Sequence, residues 1–362
     1  MATDPQRRVA VVGATGVAGQ QFLVSLDRHP WFEVVALAAS ERSAGKSYRK
    51  AITDPSGQVR WGCEEPLPAG FADRTLVDVG DLDLDAVDLV FCAVESEAAR
   101  ALEEKFASKV PVVSTSSAFR GEEDVPILVP GVNMEHAALV KRQQRERGWK
   151  GFVVPIPNCT ATGLVIALAP LVRSFGLEAV VMTSLQALSG AGRSPGVAGL
   201  DVLDNVIPYI PNEEEKVQRE TSKILGRLEV DRIVPLAARV SATCMRVNVR
   251  DGHTESVAAS LGRGAAPDEV AEAMRAFGRE FTDLGLPSSP TELIHVCEDP
   301  FRPQPRIDRR AGDGMTTVVG RLRPDPVLTH GVRFVLLSHN TKMGAAKGAI
   351  LVAEYLAHRG LA

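Results

Sequence analysis

The segment Pro155-Ile156-Pro157-Asn158-Cys159-Thr160-Ala161-Thr162-Gly163 sets one cysteine at the break between an apolar strand and an apolar helix. Phe152, Val153 and Val154 read as a strand end, and the two prolines keep it from continuing into a central ladder. Over 160–171 the spacing predicts a helix, so the N–H groups of its first turn are expected to face the Cys159 sulfur. Unpaired amides and the positive end of the helix dipole favour a thiolate, the nucleophilic form of cysteine. Further along, Gln186 is a polar residue inside an apolar strand predicted over 180–188, and the glycine loop Ser189-Gly190-Ala191-Gly192 follows. The stretch 201–226 reads as mostly helical after Pro211, with Glu220 and Lys223 at i, i+3, where opposite charges stand side by side. Arg246 lies in a strand predicted over 243–250, sharing a face with Asn248 and opposite Met245, Val247 and Val249. His253 comes seven residues later, an odd spacing that puts it on the other face of an unbroken strand. Asp251-Gly252 is therefore expected to supply a turn or bulge that re-aims it. Taken singly, each group also has a structural reading: a buried thiol, a solvated surface pair, a core histidine.

The elements that position these groups need a large core, and 362 residues with 45% hydrophobic content allow two packed domains. A net charge of -4, from 41 basic and 45 acidic residues spread along the chain, leaves no block suited to nucleic acid or anionic lipid. Neither partner is implied. Cys63, Cys92, Cys159, Cys244 and Cys297 are scattered and contain no CxxC pair, so no metal site is expected and reduced thiols in a cytoplasm fit. The polar start, residues 1–8, lacks the apolar core of a signal peptide, and no run of about 18 apolar residues follows.

Residues 8–12 form a short buried strand, and Gly13-Ala14-Thr15-Gly16-Val17-Ala18-Gly19 follows at once, opening a helix that runs toward Arg28. This is the glycine-rich turn of a dinucleotide-binding fold. Gly13 allows the tight turn, Gly16 lets the backbone approach a pyrophosphate and Gly19 lets helix and strand pack closely, with Thr15 and Val17 at the same helix start. A second strand at 32–38 leads into Ala38-Ala39-Ser40-Glu41-Arg42-Ser43, where an NAD-selective fold carries an acidic residue for the ribose diol. Ser40, Arg42, Ser43 and Lys46 instead offer hydroxyls and positive charge to a 2′-phosphate, which favours NADP. Glu41 is either a surface partner of Arg42 or the diol ligand. Further strands at 76–77, 88–94 and 110–114, with a helix at 97–107, complete a βαβ alternation and a parallel sheet. The polar loop 115–120 then falls at a strand C-terminus, which places Arg120 for an anionic substrate or leaves it solvated beside Glu122 and Glu123.

Gly-Ala-Thr-Gly-x-x-Gly near the N-terminus, Pro157-Asn158-Cys159-Thr160, Gln186, Ser189-Gly-Ala-Gly, Glu220-x-x-Lys223 and Arg246 with Gly252-His253 together resemble the aspartate-semialdehyde dehydrogenases. The pieces at 204–210, 212–216 and 302–306 and His339-Asn340-Thr341 resemble in particular the archaeal and fungal branch, and the resemblance spans nearly the whole chain. Thr115 departs from it, because relatives commonly carry asparagine there. The resemblance implies an α/β fold with an N-terminal Rossmann-type NADP-binding domain, residues 1–156 completed by a C-terminal helix within 340–362. A mixed α+β catalytic and dimerisation domain, 157–339, would follow, and the protein would be a homodimer or homotetramer.

The implied activity is the reversible, NADP-dependent reductive dephosphorylation of L-aspartyl-4-phosphate to L-aspartate-4-semialdehyde, in the biosynthesis of lysine, threonine and methionine. In it Cys159 would form a thioester, His253 would take or give a proton and Gln186 would orient the site. Arg246 would clamp the substrate α-carboxylate, Glu220 would meet its α-ammonium, and Lys223 with Arg120 would hold phosphate. Ser189, Gly190 and Asn340 would belong to the cofactor site, Asn340 against the nicotinamide amide. Malonyl-CoA reductases and acylglutamyl-phosphate reductases share the Cys/His machinery, but malonyl-CoA offers no ammonium to Glu220. A non-catalytic dinucleotide-binding protein is the other alternative, and intact Cys159, His253 and Arg246 speak against it.

Overall fold

The computed structural model describes residues 6–192 and 199–362; residues 1–5, part of the polar start considered above, lie outside them. The chain divides into two compact units. The first comprises Met1–Pro126, Ala137–Ile156 and Ala345–Ala362, and the second Ile127–His136 and Pro157–Gly344. Two short stretches thus differ from the division expected from sequence. Residues 127–136 join the second unit, where Arg173 donates to the Val132 carbonyl at 2.5 Å and His136 Nε2 lies 3.2 Å from the Gly226 carbonyl. Residues 340–344 stay there too, because the Asn340 amide donates to Ser189 Oγ at 2.7 Å and its oxygen accepts the Gly252 N–H at 2.9 Å.

In the first unit, β1 (Arg7–Val12), β2 (Phe32–Ala39), β3 (Val77–Asp78), β4 (Leu89–Cys92), β5 (Val112–Ser114) and β6 (Val153–Pro155) form one sheet in the order β3-β2-β1-β4-β5-β6. Every pairing is parallel, and the order is that of two mononucleotide-binding halves meeting at β1 and β4. Val9 to Val12 and Leu89 to Cys92 are wholly buried, as a sheet covered on both faces requires. Pro155 closes the edge strand β6, where a missing N–H breaks no central ladder. The C-terminal helix, Ala346–His358, packs on the helix Val17–Leu26 and on β5, and a buried contact of 2.9 Å joins its Glu354 to His29.

The second unit is built on a mixed sheet of β7 (Leu177–Gln186), β10 (Arg239–Arg246), β11 (His253–Leu261), β12 (Ile294–Val296), β13 (Thr317–Pro324) and β14 (Gly331–Ser338). Its order is β10-β7-β11-β14-β13-β12, and β8 (Arg227–Glu229) and β9 (Arg232–Val234) make a separate hairpin. The helix Cys159–Phe175 lies on this sheet against β11, β13 and β14 and is buried along nearly its whole length. Gly163 permits the approach, since a Cβ there would stand 2.7 Å from that of Ser338. Among the described residues, no helix is long and apolar enough to cross a membrane.

Candidate active site

Three strand ends and one helix start meet in the second unit. Gln186 ends β7, Arg246 ends β10 directly beside it in parallel register, and His253 opens β11 on the other side of β7. The expected strand over 243–250 stops at Arg246, because the Val249 N–H turns back onto the Val247 carbonyl at 2.8 Å. Gly252 then turns the chain with φ +94°, a conformation open to glycine at little cost, and delivers His253. Arg246 and His253 are therefore brought together from two strands flanking a third, which removes the parity problem that a single strand would pose.

Cys159 is the first residue of its helix, and its Sγ lies 3.1 Å from His253 Nε2. Asn158 is the N-cap. Its Oδ1 accepts the N–H groups of Thr160 at 2.9 Å and Ala161 at 3.1 Å, so the first-turn amides expected to face the sulfur are held by this cap instead. The helix start still offers Cys159 its dipole, while the direct polar contact comes from the imidazole. Close packing sharpens the geometry: a Cβ at Gly344 would stand 3.0 Å from that of Cys159, and one at Gly190 would stand 3.1 Å from His253 Cε1 and 3.1 Å from Arg246 Nη1.

The groups around the sulfur are buried and tightly linked. Arg246, 5% exposed, donates from Nη1 to the Ala187 carbonyl at 2.7 Å, and burial lowers its pKa from the ordinary arginine value. Burial, reinforced by Arg246 and His339, pushes the His253 imidazole down to about 3. Glu220 is wholly enclosed and accepts the Asn158 backbone N–H on Oε2 at 2.6 Å. Lys223, one turn on, is half-buried.

The hub that sequence reading missed is Glu213, the first residue of the helix Glu213–Ile224. Its Oε1 accepts from Asn158 Nδ2 at 2.9 Å and from Gln186 Nε2 at 3.0 Å. It thus connects the cap of the nucleophile helix to the polar strand residue. A run of three glutamates after Asn212 reads as a solvated helix start, and only the depth of the first, 8% exposed, separates it from Glu214 and Glu215. Glu255, wholly buried on β11, was missed as well. Neither of its carboxyl oxygens has a hydrogen-bond partner, and burial, with Glu213 nearby, raises its pKa well above the usual carboxylate range.

In the first unit the glycine-rich turn has the form that a dinucleotide phosphate needs. Gly13 takes φ +79° and a Cβ on it would stand 2.4 Å from the Ala93 carbonyl oxygen, while one on Gly19 would stand 2.2 Å from that of Gly13. A Cβ on Gly16 meets nothing nearer than 3.6 Å, and this N-cap offers no side chain to the first-turn amides near Thr15 and Val17. The cradle is open where a phosphate would lie. Tyr48, which sequence reading passed over, braces the turn by donating its hydroxyl to the Ala14 carbonyl at 2.9 Å. Ser40, Glu41, Arg42 and Lys46 are exposed beyond β2, whereas Ser43 is buried in the turn they form. Arg120, also buried, donates to the Thr115 carbonyl at 2.8 Å.

The fold finds its counterparts among known proteins. Residues 8–140 match the semialdehyde dehydrogenase NAD binding domain and residues 168–343 the semialdehyde dehydrogenase dimerisation domain. These define the class, a two-domain NAD(P)-dependent oxidoreductase. Aspartate-semialdehyde dehydrogenase of Archaeoglobus fulgidus is 46% identical over 96% of this chain and 97% of its own length. The enzyme of the same name from Saccharomyces cerevisiae is 41% identical over 97% and 98%. The crystal structure of the Candida albicans enzyme with NADP superposes with a TM-score of 0.87 at 39% identity, covering 98% of this chain and 100% of that one. The chain belongs to the aspartate-semialdehyde dehydrogenase family.

Proposed function

We propose that this protein catalyses the reversible, NADP-dependent reductive dephosphorylation of L-aspartyl-4-phosphate through a thioester on Cys159. The observation that carries this reading is the contact of 3.1 Å between Cys159 Sγ and His253 Nε2 at the start of a buried helix, with the Arg246 guanidinium beside it. As a thiolate, Cys159 attacks the acyl carbon, the acyl–oxygen bond breaks and phosphate leaves, taking up a proton from solvent. The Gly13–Gly19 turn would hold the cofactor's pyrophosphate and Ser40 and Arg42 its 2′-phosphate, and the chemistry the cofactor would supply is a hydride to the thioester. The resulting oxyanion re-forms a carbonyl, the C–S bond breaks and the semialdehyde departs.

Arg246 is suited to a bidentate grip on the α-carboxylate and Glu220 to the α-ammonium, with Lys223 and Arg120 toward phosphate. Gln186 would orient the acyl group, and Ser189, Gly190 and Asn340 would face the nicotinamide. The outward face of β7 presents Val181, 51% exposed, and Leu185, 39% exposed, in a domain matched as a dimerisation domain, so the active form is a homo-oligomer that buries this face in a cytoplasmic setting. The test is phosphate-dependent reduction of NADP with aspartate semialdehyde, compared with malonate semialdehyde plus CoA. Preference for the second pair would move the protein to the sister reaction. Turnover persisting in Cys159→Ala would rule out the covalent route.

A further inference from the structure

We propose that Glu103 is the buried counter-ion of Arg120, a positioning residue that holds the loop 115–120 through Ser114, and that an oxyanion bound at Arg120 competes with this carboxylate and draws a proton onto it. This rests on the reading of Arg120 as a partner of the substrate phosphate. Glu103 lies on the helix Ser96–Ala107 and is 1% exposed, whereas its neighbours Glu104 and Lys105 face solvent. Cys92 and Ser114 end β4 and β5 side by side in register, and both reach it from the sheet. The Ser114 hydroxyl donates to Glu103 Oε1, and the Cys92 thiol donates to the same carboxyl group. Ser114 Oγ in turn accepts the Ser116 N–H at 2.9 Å, which leaves its own proton for the glutamate. One residue on, the Thr115 carbonyl accepts Arg120 Nη2 at 2.8 Å. Acid and guanidinium, both buried, thus converge on the consecutive residues Ser114 and Thr115.

A carboxyl group enclosed in this way is costly to ionise unless a cation stands near. Burial pushes Glu103 up to about 7, and Ser114, Cys92, Arg120 and Arg100 keep it from rising further. Among the strands packed on its helix, β4, β5 and β6, Cys92 is the sole titratable residue, and burial raises that thiol well above its usual range. Arg100, on the helix of Glu103 itself, is committed to Glu122 at 2.8 Å and to the Ala118 carbonyl at 2.6 Å. Arg120 is therefore the cation whose surroundings change when an anion arrives.

An oxyanion at Arg120 brings negative charge toward Glu103, disfavours its ionised form and raises its pKa. By linkage the anion then binds the protonated state more tightly. Affinity is highest below about 7, where Glu103 is already neutral, and declines as pH rises through that value, because binding must then bring a proton from solvent to the carboxylate. A rise of about one unit in its pKa makes the two limits differ by about tenfold. The proton goes to Oε2, so Oε1 can still accept from Ser114 and the loop keeps its shape while the charge changes.

The test uses sulfate, which keeps its double charge across this range, titrated calorimetrically into the whole chain in two buffers of different ionisation heat. The parent should take up a proton on binding sulfate at about pH 7.5, and should bind it about tenfold more weakly at about pH 9 than at about pH 6. Glu103→Gln, an amide in place of the neutral acid, should take up none and keep its low-pH affinity throughout. Ser114→Ala removes a donor that favours the ionised acid, so the decline should move to higher pH, and an unmoved midpoint would count against the tie. Proton uptake surviving in Glu103→Gln overturns the proposal, as does a parent that binds sulfate equally well across the range. Arg120→Ala tells the two readings apart. Unchanged sulfate affinity there removes Arg120 from the anion site and the proposal with it, whereas weaker binding there, beside a parental pH response in Glu103→Gln, keeps Arg120 in place and removes the coupling alone.

Discussion

The carboxylate of Glu220 accepts the backbone N–H of Asn158 at 2.6 Å, one residue before the cysteine. The acid assigned to the substrate α-ammonium is therefore also tied to the start of the nucleophile helix. Both functions can be separated by a substitution that keeps the acceptor and removes the charge. In Glu220→Gln an amide oxygen can still take the Asn158 N–H, so the cap should hold. Loss of the charge should lower kcat/KM for aspartate semialdehyde by one to three decades, about 1.4 to 4 kcal/mol of transition-state stabilisation. Succinate semialdehyde, which lacks the amine, is the control. If both substrates suffer equally, Glu220 is structural and the amino-acid assignment loses its local support.

Glu213 makes a different prediction because it touches the cap and Gln186 through a single oxygen. Replacing it by alanine would take this acceptor from the buried Asn158 amide and leave Gln186 Nε2 with Ser184 Oγ alone, 3.2 Å away. Each orphaned donor costs about 1 to 3 kcal/mol, so unfolding in denaturant should show a stability loss in that range or above. The kcat should fall by at least tenfold while KM changes less, since Cys159 loses its support and Arg246 does not. A loss of stability with unchanged kcat would confine Glu213 to folding.

These two glutamates differ in how visible each is in the sequence. Glu220 was singled out because it stands at i, i+3 from Lys223 on one helix face. The same holds for Gly13, Gly16 and Gly19, whose roles follow from local backbone geometry. Glu213 was not, since a glutamate at a helix N-terminus satisfies the dipole on its own and gives no sign of being buried. The capping of Thr160 and Ala161 by Asn158 was hidden in a different way: Asn-Cys reads both as a cap and as an exposed helix start, and only the bond distances separate the two. The Ala187 carbonyl, which accepts Arg246, has no side-chain signal at all. Arg246 and His253 were found as a pair, yet their meeting across β7 depends on strand order, which spacing along one strand cannot express.

Cofactor choice rests on the exposed turn after β2. Arg42 is a solvent-facing guanidinium where an acidic diol ligand would mark NAD selectivity, and its neighbour Ser40 is exposed as well. Replacing Arg42 with alanine should weaken NADP binding by about 1.5 to 3 kcal/mol, the range of a hydrogen bond to a charged group, and leave NAD nearly unaffected. Calorimetric titration of both cofactors decides it. Equal losses would mean that Arg42 does not read the 2′-phosphate.

Stability against pH should carry the signatures of two residues on one face of β11. His253 and Glu255 are two apart, both wholly buried, and shifted in opposite senses. The histidine falls to about 3, below its unfolded value near 6.5, so the unfolded chain binds the extra proton. Its contribution is present above pH 6.5 and is lost as pH falls toward 3, with a slope of about 1.4 kcal/mol per pH unit. Glu255 is raised above its unfolded value, so the folded chain holds the proton, and stability declines as pH rises through the folded pKa. His253→Gln should flatten the acid side of the curve. Glu255→Gln keeps the shape of a protonated acid and removes the alkaline loss, so its Tm should match the parent at about pH 4 and exceed it at about pH 8. Unfolding in denaturant across this range measures both. Between about pH 6.5 and 5, above the range where the lowered carboxylates Asp88, Glu122, Asp124 and Asp308 titrate, a slope unchanged in His253→Gln would show that the imidazole is charged in the folded protein, and a Glu255→Gln variant no more stable at pH 8 would mean that the buried carboxyl ionises at little cost.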